Sequence, residues 1–371
     1  MINEIYILNQ NRERIALIDD FSSIIWDMTY YDVGNFEIYA KATPKNRQFL
    51  IKDNFVWRED REEPGIIEQI EITFSIESGY MITASGRFAK SVLDRRIIYN
   101  LSGNTITPVV SRGNVEIAVR TLVKNCLITA ADATRNVSFI KLGALANLPA
   151  IIETSSGDNG DTQTSYKGLL DYTEQLLKTY GYGAKLILGN DKNLYYIVYS
   201  GTDHSITTAN PIIFSQEFDN LLNSDYLFNQ AQYKNVALCG GAGEGTARKY
   251  VLVGGNQTGL NRRETFIDGS SNSETYTDEQ GQTQTYSDSV YLNMLKTTAT
   301  AGLSDLIPNE SFKGDIDIVN TNLKFGIDYN LGDIVTIEDN KMNLYKNCRI
   351  TGVTEVQDDN GYSITIKFDN D

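Results

Sequence analysis

A single histidine, three cysteines and six prolines stand in a chain of 371 residues, and each shortage removes a class of chemistry. One His without Cys or His companions builds no zinc site. That residue, His204, lies in the polar run Ser200-Gly201-Thr202-Asp203-His204-Ser205, and no GxSxG turn is present to offer a nucleophile for a Ser-His-Asp triad. Cys126, Cys239 and Cys348 are odd in number, far apart and without a CxxC pair, which argues against a disulfide framework and for three buried or half-buried thiols made in a reducing cytosol. Cations are short as well: 33 Lys and Arg face 48 Asp and Glu, a net charge of −15. Wrapping or sequence-specific binding of nucleic acid needs the opposite balance, although an acidic surface suits a passage that DNA crosses without sticking. No stretch approaches the roughly 18 consecutive apolar residues of a membrane span. The charged, alternating start of the chain lacks a signal-peptide apolar block, so a soluble chain not exported by its own signal is expected.

What is present is a folded, strand-rich composition: 41% hydrophobic residues and 10% aromatics, with 22 Tyr and 14 Phe. At roughly 150 residues per domain, two or three domains are expected. Ile70, Ile72, Phe74 and Ile76 alternate with Glu71, Thr73, Ser75 and Glu77, turn at Ser78-Gly79, and continue through Tyr80, Ile82 and Ala84, which is a β-hairpin. Near the other end, Arg349 to Val356 reads as extended, Asn360-Gly361 as a turn, and Tyr362, Ile364, Ile366 and Phe368 alternate with polar residues. Gly79-Tyr80-Met81-Ile82-Thr83 matches Gly361-Tyr362-Ser363-Ile364-Thr365, and the preceding strands Val56-Trp57-Arg58-Glu59-Asp60 and Val335-Thr336-Ile337-Glu338-Asp339 also match. Internal duplication and convergence of two hairpins both account for so short a match.

Helical spacing marks Val115 to Asn125 with Asn114 as cap, Tyr166 to Tyr180 with Ser165 as cap and Gly181 as stop, and Ser287 to Leu306. Thr154 to Thr164 and the Ser/Thr/Gln/Asp-rich run Asp268 to Ser289 read as flexible loops. The coarse organisation is a β-rich unit to about residue 100, a mixed middle to about 230 and a β-rich C-terminal unit.

Three further patterns carry no clear chemistry. In Cys239-Gly240-Gly241-Ala242-Gly243-Glu244-Gly245-Thr246, Thr246 stands where a phosphate loop needs Lys, and Lys249 to Gly254 reads as a strand, so this is a hairpin. The acid pairs Glu59-Asp60, Glu62-Glu63 and Asp358-Asp359 read as solvated faces. Asp158-Asn159-Gly160-Asp161 lacks the spaced ligands and closing Glu of a calcium loop and reads as a turn. No catalytic, cofactor-binding or metal-ligating residue is assigned.

Several segments resemble the siphovirus Gp37-like tail-hub family, related to the baseplate hubs of contractile phages and to the N-terminal part of tail-associated lysins. They are Asp20 to Trp26 and Tyr30 to Ile38, Gly65 to Ile70, Ala84 to Arg87 with Leu93 to Ile97, Tyr233 to Leu238 with the Gly loop and Arg248, and Leu331-Gly332-Asp333-Ile334-Val335. Their order touches both ends and the centre.

The resemblance implies a β-rich α+β fold like a phage baseplate hub, with two β-barrel-like tube domains and an inserted mixed α/β middle region. Its expected divisions are about 1–100, 101–230 and 231–371, the last carrying a helical and loop insertion at about 262–308. It implies a non-enzymatic virion structural protein, made in the host bacterial cytoplasm and located at the tail tip of a long-tailed phage. A homotrimeric ring would dock on the six-fold tail tube and form a channel for DNA. Expected partners are the distal tail protein, the tail tube and tail fibre or spike proteins, with no cofactor. The family's larger relatives append fibre or hydrolase domains, and none is expected after the last hairpin. Two other readings stand beside it: a receptor- or carbohydrate-binding tail protein, from the Tyr-rich β composition, and a peptidoglycan hydrolase working through two carboxylates.

Overall fold

Period-two alternation from the first residues builds a run of strands: β1 (Ile5–Leu8), β2 (Arg14–Ile18), β3 (Phe21–Thr29), β4 (Asn35–Lys41), β5 (Phe55–Trp57), β6 (Gly65–Ser75) and β7 (Gly79–Phe88), with a short helix α1 (Pro44–Phe49) after β4. The computed structural model describes residues 4–102, 105–107, 109–152, 161–164, 166–277, 281–317 and 321–370. Ile24 and Trp26 of β3, Phe36, Ile38 and Ala40 of β4, and Ile82 and Ala84 of β7 are all buried in one core. Each such large side chain contributes about 2 kcal/mol by leaving water.

The middle of the chain holds β8 (Asn100–Ser102), β9 (Thr105–Thr107), β10 (Val109–Arg112), α2 (Val115–Val123), β11 (Ile140–Leu142), β12 (Asp161–Thr164), α3 (Leu169–Thr179), β13 (Gly183–Leu188) and β14 (Leu194–Tyr199). Helices α2 and α3 share a core with the small sheet β11-β14-β13 through Val119, Leu122, Leu170, Leu177, Leu186 and Tyr196. Asn114 caps α2 as expected, accepting from the Ile117 amide at 3.1 Å. Helix α3 starts later than the spacing suggested: Gly168 holds the cap position, and the expected cap Ser165 lies outside the described residues. Its stop is the expected one, Gly181, at φ +70°.

The remainder comprises β15 (Ile213–Ser215), β16 (Leu221–Asn229), β17 (Val236–Gly240), β18 (Tyr250–Gly254), β19 (Glu264–Asp268), β20 (Thr275–Thr277), β21 (Thr283–Thr285), α4 (Asp288–Ser304), β22 (Asn309–Ile316), β23 (Ile334–Asp339), β24 (Leu344–Asp358) and β25 (Gly361–Asn370). Strands β18-β17-β19 pack on α4 around Ala237, Cys239, Tyr291 and Leu295. Two expected loops contain structure. Strands β20 and β21 pair, and Tyr276 and Tyr286 stack at 4.5 Å, within the run read as a loop from Asp268 to Ser289. Polar Thr and Gln supply the alternation there, so no apolar period betrayed it. Residues 161–164 likewise pair with β10, while 153–160 lie outside the described residues.

One thirteen-stranded sheet joins the two ends of the chain in the order β16-β22-β25-β24-β3-β4-β7-β6-β5-β1-β2, with β15 and β23 branching beside β24. Six strands of the N-terminal part, β3-β4-β7-β6-β5-β1, have the same neighbours as β16-β22-β25-β24-β23-β15. The registers agree as well. In the β6–β7 hairpin a bulge falls between Ser85 and Gly86, and in β24–β25 it falls between Lys367 and Phe368, each at the same distance from the opening glycine of its second strand. Between β3 and β4 a bulge separates Phe21 from Ser23, and between β16 and β22 one separates Leu221 from Asn223, again at matching places. The short strands also match: Val56 is paired one residue beyond Phe55 on β6, as Val335 is beyond Ile334 on β24. The two units differ at β1 and β15, since β1 is antiparallel to β5 whereas β15 is parallel to β23.

Candidate functional site

His204 and members of each acid pair weighed for catalysis have partners in the fold. His204 Nδ1 lies 3.0 Å from the Asn210 carbonyl and its Nε2 3.8 Å from Asp333, while the neighbouring Ser205 hydroxyl meets Thr207. The glycine cluster forms the end of β17 and a loop into β18, a hairpin as its sequence suggested. Arg248 turns into that loop and donates to the Gly241 and Gly240 carbonyls at 2.8 and 3.1 Å. Carbonyl oxygens gathered on a cation are the reverse of amides gathered on a phosphate.

Asp60, Glu62, Glu63 and Asp333 line one cleft of about 460 Å³, and each is already engaged. Asp60 meets Arg58 at 2.8 Å, Glu62 meets Lys185, Glu63 accepts from the Lys90 and Leu186 amides, and Asp333 accepts from the Thr202 and Asn330 amides. Glu59 pairs with Arg14 at 2.7 Å, and Asp358 caps its own turn through the Asn360 amide. The segment Asp158-Asn159-Gly160 lies outside the described residues. Among the described residues no group of three or more His, Cys, Asp and Glu is placed to hold a metal, and no helix is long and apolar enough to cross a membrane. All three cysteines are buried, and none is joined in a disulfide.

What the fold does assemble is a joint. Residues Gly352–Gln357 of β24 pair antiparallel with Ile24–Thr29 of β3, so the C-terminal and N-terminal units meet along a strand. At its centre Glu355, 1% exposed, accepts from Arg58 at 2.9 Å and from Arg61 at 2.6 Å, and the Tyr362 hydroxyl donates to it at 2.6 Å. Burial alone would raise the Glu355 carboxyl, but the two guanidiniums outweigh it and hold the group below its ordinary value. Burial, with Glu355 nearby, pushes the Tyr362 phenol up. Nothing in the sequence signalled this cluster, because its partners are almost 300 positions apart.

On the opposite face of the same sheet a polar row crosses seven strands. Asn223, Asp315, Thr365, Thr354, Asp27, Asn35 and Arg87 stand side by side in the ladder from β16 to β7. Thr365 and Thr354 donate to Asp315 and Asp27, both at 2.5 Å, and Asn223 and Asn35 donate to the same two acids at 2.9 and 3.2 Å. Hydroxyls and acids dominate the row, and Arg87 at its end is turned to Glu68 and Asp94. Among these seven side chains Arg87 is the one cation, so the row is not a file of cations that would grip phosphates.

A family model described as Siphovirus ReqiPepy6 Gp37-like protein matches residues 4–368. Three solved structures share the fold over almost the full length of both chains. A tail protein from Neisseria meningitidis MC58 aligns at TM-score 0.59 and 12% identity, covering 99% of this chain and 96% of that one. The prophage MuSo2 43 kDa tail protein from Shewanella oneidensis aligns at 0.55 and 15%, covering 99% and 98%. Prophage tail protein gp18 from Listeria monocytogenes EGD-e aligns at 0.52 and 13%, covering 99% and 94%. No curated protein matches the chain by sequence.

Proposed function

The chain belongs to the siphovirus ReqiPepy6 Gp37-like family, and from that premise we propose that this phage tail protein is the hub of the tail tip, a non-enzymatic virion component. The observation that carries the reading is the repeated six-strand unit. Two units with the same strand order and the same bulges give one chain two nearly equivalent faces. Three copies then present six such faces to a six-fold tail tube, which resolves the mismatch between a trimer and a hexameric ring.

In this reading each unit curves into a barrel-like tube segment, with bulges supplying the curvature. The divisions lie near residues 100 and 230, and β15 and β16 are drawn into the C-terminal unit by their pairing. The polar row carrying Asp27 and Asp315 faces the passage, where a lining without a surplus of cations lets DNA slide. The distal tail protein, the tail tube and fibre or spike proteins are the partners, and the site of action is the virion after synthesis in the host cytoplasm.

The test is the mass of the purified chain by light scattering at virion-like concentration, followed by class-averaged electron microscopy. A three-fold ring with a central hole is expected. A strictly monomeric chain that binds host cell walls saturably would replace the hub with a receptor-binding reading.

A further inference from the structure

Besides the short strands β2 and β15, two long edges of the sheet have no strand beside them among the described residues. β16 pairs only with β22, and β6 beyond Ile67 pairs only with β7, because β5 reaches no further than Ile66. Each free edge is the counterpart of an edge that is occupied inside the chain. β6 corresponds to β24 and β16 to β3, the two strands of the internal joint.

The matching bulges carry that joint across residue by residue. Gln69 to Phe74 occupy the places of Gly352 to Gln357, and Ser224 to Asn229 the places of Ile24 to Thr29. We infer that Gln69–Phe74 of one copy adds antiparallel to Ser224–Asn229 of the next copy, in the register that sets Ile70 opposite Phe228, Ile72 opposite Tyr226 and Phe74 opposite Ser224. The inference deepens the ring reading above and rests on it.

Burial agrees with this assignment. Ile70, Ile72 and Phe74 are 37%, 50% and 62% exposed and Tyr226 and Phe228 are 41% and 51% exposed, whereas Val353, Glu355 and Trp26, three of the residues in the corresponding internal places, are at most 1% exposed. A long apolar edge of this kind is a template for another strand. The occupant is a second copy because, within one chain, β16 and β6 are separated along the sheet by seven strand spacings of about 4.8 Å, or about 34 Å. A contact of one edge with a different edge runs head to tail, the arrangement that closes into a ring.

The two joints differ in chemistry. Ile72 stands where the internal joint has Glu355, and Ile337 where it has Arg58. On the face that carries Ile70 and Ile72 the contact between copies is therefore apolar, and that part of it persists in salt that screens exposed charges.

The register is tested by cysteine pairs in the full-length chain, oxidised with copper phenanthroline and resolved without reductant. Ile72→Cys with Tyr226→Cys, and Thr73→Cys with Asp225→Cys, are adjacent pairs, so one of them falls at the closely spaced position of an antiparallel ladder. Interchain disulfides are expected from at least one. None is expected from Phe74→Cys with Phe228→Cys, which the register places four residues apart, well beyond disulfide reach. An oligomer that forms by light scattering yet links at neither in-register pair overturns the joint and leaves the ring standing. A chain that forms no oligomer overturns both. Ile72→Lys provides the second arm: its site is solvent-exposed in the single chain, so the melting temperature of the monomer stays unchanged while the oligomer is lost. An oligomer of undiminished mass in this variant contradicts the joint.

Discussion

Arg58 and Glu355 lie 297 positions apart in the chain and meet at 2.9 Å inside the sheet, both almost wholly buried. Through Arg61, Asp60 and Tyr362 the contact grows into a network that fastens the N-terminal unit to the C-terminal one. Its energetics are asymmetric, since a buried ion pair adds little over an apolar pair, whereas half of one leaves a charge stranded.

Glu355→Leu leaves the buried Arg58 with the half-exposed Asp60 as its remaining acid partner and is expected to lower unfolding stability by about 3 kcal/mol, read from urea denaturation. Adding Arg58→Met is expected to restore part of the loss. If the double variant is less stable than the sum of its singles, the pair is not the unit that matters.

Acid should loosen the same joint. The Glu355 carboxyl sits below its ordinary value when folded, so its contribution is present above the unfolded value and is lost as pH falls through the folded one. Glu63 and Glu174 carry the opposite sign, because burial raises both, and their contribution is lost as pH rises through their folded values. Unfolding free energy measured across the acid range should therefore fall less steeply in the Glu355→Leu, Arg58→Met variant than in the parent. Parallel curves would remove Glu355 as the cause.

Gly332→Ala should be costly. Gly332 is held at φ +96°, and a methyl there would lie 2.3 Å from a ring carbon of Tyr30, whose hydroxyl donates to the Gly181 and Tyr199 carbonyls. Strain and overpacking together predict a loss of about 2–4 kcal/mol in denaturant unfolding. An effect below half of one kcal/mol would mean that the loop and Tyr30 yield freely.

Thiol reagent should find nothing in the folded chain. Cys126, Cys239 and Cys348 are buried, and burial pushes the Cys126 thiol up and the Cys239 thiol up to about 11. Labelling with a chromogenic disulfide is expected to be negligible in buffer and to reach three thiols per chain in denaturant. Rapid native labelling would expose a site that the fold is expected to cover.

The two hairpins were legible because alternation and a turn glycine act within a dozen residues, and the pentapeptide match between them pointed to the larger repeat. The rest of the repeat was not legible. β3 and β16 occupy equivalent places, yet Trp26 is core and Tyr226 is partly exposed, so their side chains no longer advertise a common origin. Both sides of β16 are largely exposed, and a strand without a buried face shows no alternation. The polar row and the Glu355 cluster escaped for another reason: each draws on residues from both ends of the chain, and spacing along the sequence says nothing of partners brought together by topology. The β20–β21 hairpin was missed because its Thr and Gln pattern has the composition of a loop.

Strand β24 is fifteen residues long, and six consecutive positions, Gly352 to Gln357, bind it to β3. Its mechanical behaviour follows from that geometry. A load that drags one unit past the other along the strand axis meets all six positions at once, as a lap joint does, whereas a load that peels the units apart from one end meets them in turn. The seam is therefore stiff to sliding and weaker to opening, and a force applied to this chain will be resisted according to its direction.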